Sequence, residues 1–185
     1  MAPVHSFHKQ LARSQELLDE AWWESIYRQA FPDFASMVAV RQDGWAQRGG
    51  IDRIIVLASG RTLTVDEKVR SEPWPDILLE YWSDEGRRVP GWVAKELACD
   101  YVAYAMAGVG VCYLFPFQDL KRAWLRHHNS WVKRYREVRA QNAGYVSVSV
   151  AVPTDVLLAA LASGTALRPP RGDARRGVCK SGPWR

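Results

Sequence analysis

The stretch Gly50-Ile51-Asp52-Arg53-Ile54-Ile55-Val56-Leu57-Ala58-Ser59-Gly60-Arg61-Thr62-Leu63-Thr64-Val65-Asp66-Glu67-Lys68-Val69-Arg70 decides the fold. The apolar run Ile54–Leu57 reads as the heart of a strand over 50–58, Ala58-Ser59-Gly60-Arg61 as a hairpin turn, and 62–70 as a second strand. Side chains alternate between the faces of a strand, so Thr64, Asp66, Lys68 and Arg70 share one face while Val65, Glu67 and Val69 share the other. Asp66 and Lys68 then point the same way, about 7 Å apart at ~3.3 Å per residue. Asp52 begins the preceding strand and lies alongside them if the hairpin register allows.

Two carboxylates and an ammonium on one strand pair are suited to a particular chemistry. Carboxylates are hard oxygen ligands for Mg²⁺ or Mn²⁺. Such an ion polarises a phosphate and lowers the pKa of a bound water, and a neighbouring lysine steadies the nucleophile or the developing charge. The competing reading is that an Asp-Glu-Lys run merely solubilises an exposed strand face.

Outward from the hairpin, residues 7–31 read as a helix, with Phe7, Leu11, Leu18 and Trp22 at helical spacings, ended at Phe31-Pro32-Asp33. Residues 36–48 read as a connector with a short strand at Met37–Val40. Glu72-Pro73-Trp74-Pro75 is a loop, because proline restricts itself and its predecessor. Ile77–Ser83 is a third strand, Trp92–Leu97 a short helical piece, and Asp100–Ala107 and Val111–Phe115 are strands joined at Gly108-Val109-Gly110. Residues 117–139 read as a strong helix from the stripe Trp124, Trp131, Tyr135, Val138. Tyr145–Val152 alternates as a strand, and Pro153-Thr154-Asp155 opens a last helix through Ala162. The result is one α/β domain over 1–167, a central mixed sheet flanked by helices, followed by a flexible basic tail over 168–185.

Order and motif together resemble the PD-(D/E)xK nuclease superfamily, the restriction-endonuclease-like fold. The resemblance rests on Gly50-Ile51-Asp52 followed by Asp66-Glu67-Lys68, within an αβββαβ-type order through about residue 150. It implies Asp52 and Asp66 as metal-binding acids, Lys68 as the catalytic lysine, and Mg²⁺ or Mn²⁺ as cofactor. Ile51 stands where the pattern has proline. Many members add a glutamate from the first helix, and of Glu16, Glu20 and Glu24 the choice falls on Glu20, since Glu24 has Arg28 as a partner four residues on. Gln47 stands ready to orient a water or contact phosphate. Glu80, an acid inside Leu79-Glu80-Tyr81, is either a further ligand or a paired core-edge acid.

The net charge of +5 is uneven. Residues 119–139 carry seven Lys/Arg against two acids and residues 168–185 six against one, so the rest of the chain is acidic. Base on one helix and acid at the metal site would suit a polyanion. On this view Lys121, Arg122, Arg126, Lys133 and Arg134 track phosphates with Arg70, and Trp74 stacks on a base. The other reading is an ordinarily solubilised helix face and loop-anchoring tryptophans. His127 and His128 diverge by about 100° on a helix, so they read as surface or packed histidines rather than a metal pair.

Other chemistries find no support. There is no GxSxG, no phosphate-binding Gly-rich loop with Lys-Ser/Thr and no HExxH. No run of ~20 apolar residues offers a membrane span. No signal peptide is read at the N-terminus, and three scattered cysteines, Cys99, Cys112 and Cys179, suggest a reducing, cytoplasmic setting. The composition hints at a bacterial or phage genome. The expectation is a metal-dependent nuclease acting on DNA, with a homodimer as one way for single-site chains to cut both strands. The alternative is a catalytically inactive protein of the same fold that binds nucleic acid or inhibits a nucleic-acid-processing partner.

Overall fold

The computed structural model describes residues 20–41 and 43–165. Four helices, α1 (Glu20–Ala30), α2 (Gly44–Gly49), α3 (Phe117–Arg134) and α4 (Thr154–Thr165), accompany nine strands. The strands are β1 (Phe34–Ala39), β2 (Arg53–Leu57), β3 (Thr62–Arg70), β4 (Asp76–Asp84), β5 (Val89–Pro90), β6 (Tyr101–Met106), β7 (Val111–Pro116), β8 (Glu137–Gln141) and β9 (Val146–Pro153).

The hairpin forms as its turn residues dictate. Leu57 and Arg61 close it, with the Leu57 N–H donating to the Arg61 carbonyl at 2.9 Å, and Gly60 takes the left-handed φ of 83° that the turn requires. Register pairs Arg53 with Val65 and Val56 with Thr62. β1 adds antiparallel beside β2, β6 adds parallel beside β3, and β7 closes the row antiparallel, giving a mixed five-stranded sheet in the order β1-β2-β3-β6-β7. A second, antiparallel sheet runs β5-β4-β9-β8.

Two apolar layers sandwich the mixed sheet. On one face, Trp23 and Tyr27 of α1 pack against Ile55, Leu57, Leu63, Val65, Ala103 and Ala105. On the other, Val102, Tyr104 and Met106 meet Ile77, Leu79, Val150 and Val152 of the second sheet, with Leu120, Trp124 and Trp131 of α3 and Leu157 of α4. The molecule is therefore a mixed α/β fold with a central mixed sheet flanked by helices.

Three local expectations change. The helix expected over 117–139 stops at Arg134, because Tyr135 turns extended (φ −105°, ψ 161°), and residues 137–141 become β8, paired with β9. The connector contains α2, whose signals were present: Asp43 Oδ1 accepts the Trp45 and Ala46 N–H groups, and Gly50 supplies the left-handed C-cap. Trp92–Leu97 is a turn rather than a helical piece, with the Ala94 and Lys95 N–H groups both donating to the Gly91 carbonyl at 3.0 Å. The helix expected over 7–31 is described only as Glu20–Ala30. Its beginning, Glu16 and the tail over 168–185 lie outside the described residues.

Candidate active site

Asp52 is fixed by backbone before its side chain matters. Its N–H donates to the Val65 carbonyl and its own carbonyl accepts from Val40, both at 2.9 Å. Continuing the β2–β3 register by one residue from Arg53–Val65 sets Asp52 opposite Asp66. Asp52 Oδ2 then accepts the Glu67 N–H at 2.8 Å, which ties the acid to the strand it faces. Lys68, on the same face as Asp66 two residues on, donates from Nζ to Asp66 Oδ1 at 2.6 Å.

The electrostatics are those of crowded acids. Burial pushes the Asp66 carboxyl above the usual carboxylate range, the adjacent Asp52 carboxyl raises it further, and Lys68 only partly opposes them. For Lys68, burial works against the charge, but Asp66 and Asp52 outweigh it and hold the ammonium above its ordinary value. Glu80 is also raised, first by burial, against the pull of Lys68, the Trp92 N–H and Lys95. Gly91 is needed beside it, since a Cβ there would lie 2.3 Å from the Glu80 carbonyl oxygen. Cys99 is buried within the field of Asp66 and Lys68, with its thiol pushed up to about 12 by burial first, so it is an inert thiol rather than a nucleophile.

The donor set fits a hard divalent cation. Asp66 Oδ2 is buried and no N–H or O–H group donates to it, the Asp52 carboxyl being the group within hydrogen-bonding reach of the Asp66 carboxyl. Asp52 and Asp66 offer the oxygen chemistry that Mg²⁺ or Mn²⁺ takes. Among the described residues no three His, Cys, Asp or Glu side chains stand close enough to share one ion. Glu80 feels the charges of Lys68 and Asp66 but forms no three-acid cluster with Asp52 and Asp66.

The opposite face of β3 is different. Glu67 is almost fully enclosed there and accepts from Tyr27 Oη at 2.8 Å, from Arg53 Nε at 2.5 Å and from Arg41. Arg53 is fully buried and reaches on to Glu20 through Nη1 at 2.5 Å. Glu20, expected as a metal ligand, thus stands on the α1 side of the sheet, across β3 from Asp66. Glu24 bonds Arg28 at 2.5 Å, as its spacing suggested.

The remaining expected residues are dispersed. Gln47 is exposed on α2, and its carbonyl accepts the Gly50 N–H at 3.2 Å. Arg70 donates to Asp76 Oδ1 at 2.7 Å and to the Asp76 carbonyl at 3.0 Å, close to the half-exposed Trp74. Lys121 cannot serve as a surface phosphate contact: it is buried, and its Nζ donates to the Ala94 and Lys95 carbonyls at 2.6 and 2.8 Å, pinning the 91–97 segment to α3. Arg122, Arg126 and Lys133 are exposed, and helical spacing sets them on the side of α3 opposite the buried Trp124 and Trp131. Arg122 pairs with Asp119, and Arg134 lies over the Tyr135 ring. His127 stacks on Trp131 and His128 packs tilted against Trp124, as packed histidines do.

Sequence reasoning gave Glu67 and Arg53 no role, although a signal was there. Both alternate with Ile55, Leu57 and Val65 on a face that must be buried, and a charge on such a face requires a partner. No family model, curated protein or solved structure matches this chain. No helix among the described residues is long and apolar enough to cross a membrane.

Proposed function

We propose that this chain is a Mg²⁺- or Mn²⁺-dependent nuclease that hydrolyses phosphodiester bonds of DNA, on the restriction-endonuclease-like plan its motif resembles. The observation that carries the reading is the convergence of Asp52, Asp66 and Lys68 on one strand face, with Asp66 Oδ2 buried and unpartnered. Asp52 and Asp66 would hold the ion. When bound, it supplies the positive charge that polarises a phosphate and acidifies a water.

The chain's own groups do the rest. The Glu67 N–H fixes Asp52 so that its carboxylate keeps one orientation. Lys68 is held protonated by the two acids, so it acts as a charged donor to a phosphate oxygen rather than as a base. Glu80, steadied by the Trp92 N–H, adds negative charge to the field of Lys68 and Asp66. Asp66 works as a ligand only when ionised, so cutting is expected to rise with pH through its elevated titration.

The test is purified full-length protein with Mg²⁺ or Mn²⁺ on plasmid, linear, branched and single-stranded substrates, beside Asp66→Ala. Metal-dependent cutting that the variant loses supports the nuclease. Binding without cutting under either metal overturns it in favour of the inactive binder.

A further inference from the structure

The loop between β3 and β4 carries an exposed tryptophan that the fold takes trouble to hold still. Trp74 stands between Pro73 and Pro75 and is 51% exposed. The loop around it is braced from three sides. The Gly108 N–H donates to the Ser71 carbonyl at 3.1 Å, the Thr154 N–H to the Pro75 carbonyl at 3.0 Å, and Arg70 grips Asp76 at the loop's far end. The first brace is close enough that a Cβ on Gly108 would lie 2.5 Å from the Ser71 oxygen. A large apolar ring left in water is unfavourable, and two flanking prolines and three braces fix it there.

Two cations flank the ring. The Arg70 guanidinium carbon is 6.0 Å and that of Arg136 5.8 Å from its centroid. Both lie over the ring at the outer limit of about 6 Å for a cation–π contact, so a base stacking on the indole takes the place of the more exposed and loosely paired Arg136. Among the described residues Asp76 is the acid paired with both, bonded firmly to Arg70 and loosely to Arg136 at 3.7 Å. With Glu72 in the same loop, two acids balance the two guanidinium groups, and Arg136, 58% exposed and only loosely paired, is the one placed to move onto an anion.

We propose that Trp74 and Arg136 form a platform for single-stranded nucleic acid, the indole stacking on one unpaired base and Arg136 meeting the adjacent phosphate. Aromatic stacking plus a nearby cation is the chemistry that holds single strands. A duplex base is already stacked on both faces, so a lone indole on a rigid loop selects unpaired bases. Arg70 also shares the strand side of Asp66, which the second sheet covers at Tyr104 and Met106. Arg70 is four residues beyond Asp66 on the same side of β3, about 13 Å at ~3.3 Å per residue. That is no more than about four nucleotides of a stacked strand at ~3.4 Å each. The inference rests on the nuclease reading for the purpose of the bound strand, but the binding itself can be measured without cutting.

Fluorescence anisotropy in EDTA, with a short labelled single-stranded oligodeoxynucleotide, the matching blunt duplex and single-stranded RNA of the same sequence, tests it. Wild type should bind the single strand more tightly than the duplex. Trp74→Ala should weaken single-strand binding about 5- to 150-fold, the range of one base stack, with unchanged thermal stability, and Trp74→Phe should restore most of it. Arg136→Ala should lower the salt slope by about 0.7. Duplex binding as tight as single-strand binding, or a Trp74→Ala protein that binds like wild type, overturns the platform and leaves the nuclease reading to the cleavage assay. Trp74-dependent binding by a protein that no metal makes cut supports the platform and overturns the nuclease. Equal or tighter binding to RNA supports the platform and overturns DNA as the preferred substrate.

Discussion

On one face of β3, Glu67 accepts from Tyr27, Arg41 and Arg53, while Arg53 extends to Glu20, so two acids and two bases meet with their charges balanced. On the other face, one residue earlier, Asp66 shares its surroundings with Asp52 and Glu80 against Lys68, and one of its oxygens has no partner. Both faces bury a carboxyl. Only the second, although paired with Lys68 through one oxygen, leaves its other oxygen without a donor. A network that satisfies itself holds a helix on a sheet; the unpartnered oxygen on the other face is where the proposed cation would bind. This difference, rather than the Asp-x-Lys spacing alone, separates the site reading from solubilising charge.

The sharpest way to break the comparison is to make each face behave like the other. Glu67→Gln leaves Arg41 without its anion and Arg53 dependent on the exposed Glu20, so unfolding free energy should fall by about 3–5 kcal/mol in urea titration. An effect under ~0.5 kcal/mol, ordinary for a surface change, would show that the network is not structural. Lys68→Met should leave the fold intact but reduce metal-dependent cutting by about 10²–10³-fold, the usual cost of losing one donor to developing charge. Full activity in that variant would mean the lysine serves only to neutralise Asp66.

Asp66→Asn should act in the opposite sense to Glu67→Gln. The Asp66 carboxyl titrates above its unfolded value in the native protein, so its favourable contribution is complete below the unfolded pKa and is lost as pH rises through the raised native one. Without metal, the Asn variant should therefore melt above wild type at neutral pH, and the gap should close as pH falls. A variant that melts lower at neutral pH would show that the Lys68 pair stabilises Asp66 more than burial and Asp52 oppose it.

Much of the site was legible because strand alternation is local. The turn at Ala58–Arg61 and the period of two over Thr64–Arg70 were enough to put Asp66 and Lys68 together and to bring Asp52 opposite. What was not legible depends on pairings far apart in sequence. β4 finds β9 across some seventy residues, making a second sheet that no window of sequence contains. β8 was absorbed into the preceding helix because Tyr135 and Val138 continue the α3 stripe by coincidence of spacing. Lys121 looked like one of a row of surface cations, and only the 91–97 segment folding over it shows that its ammonium faces inward.

Whether the Asp66 face takes a divalent cation is open to one experiment. Isothermal titration of Mn²⁺ into the metal-free full-length protein, beside Asp52→Asn and Asp66→Asn, reads this directly without a nucleic-acid substrate. Wild type should show saturable binding that either substitution abolishes, accompanied by a rise in melting temperature with added Mn²⁺ in wild type alone. Heats and melting curves that are the same in all three proteins would contradict it.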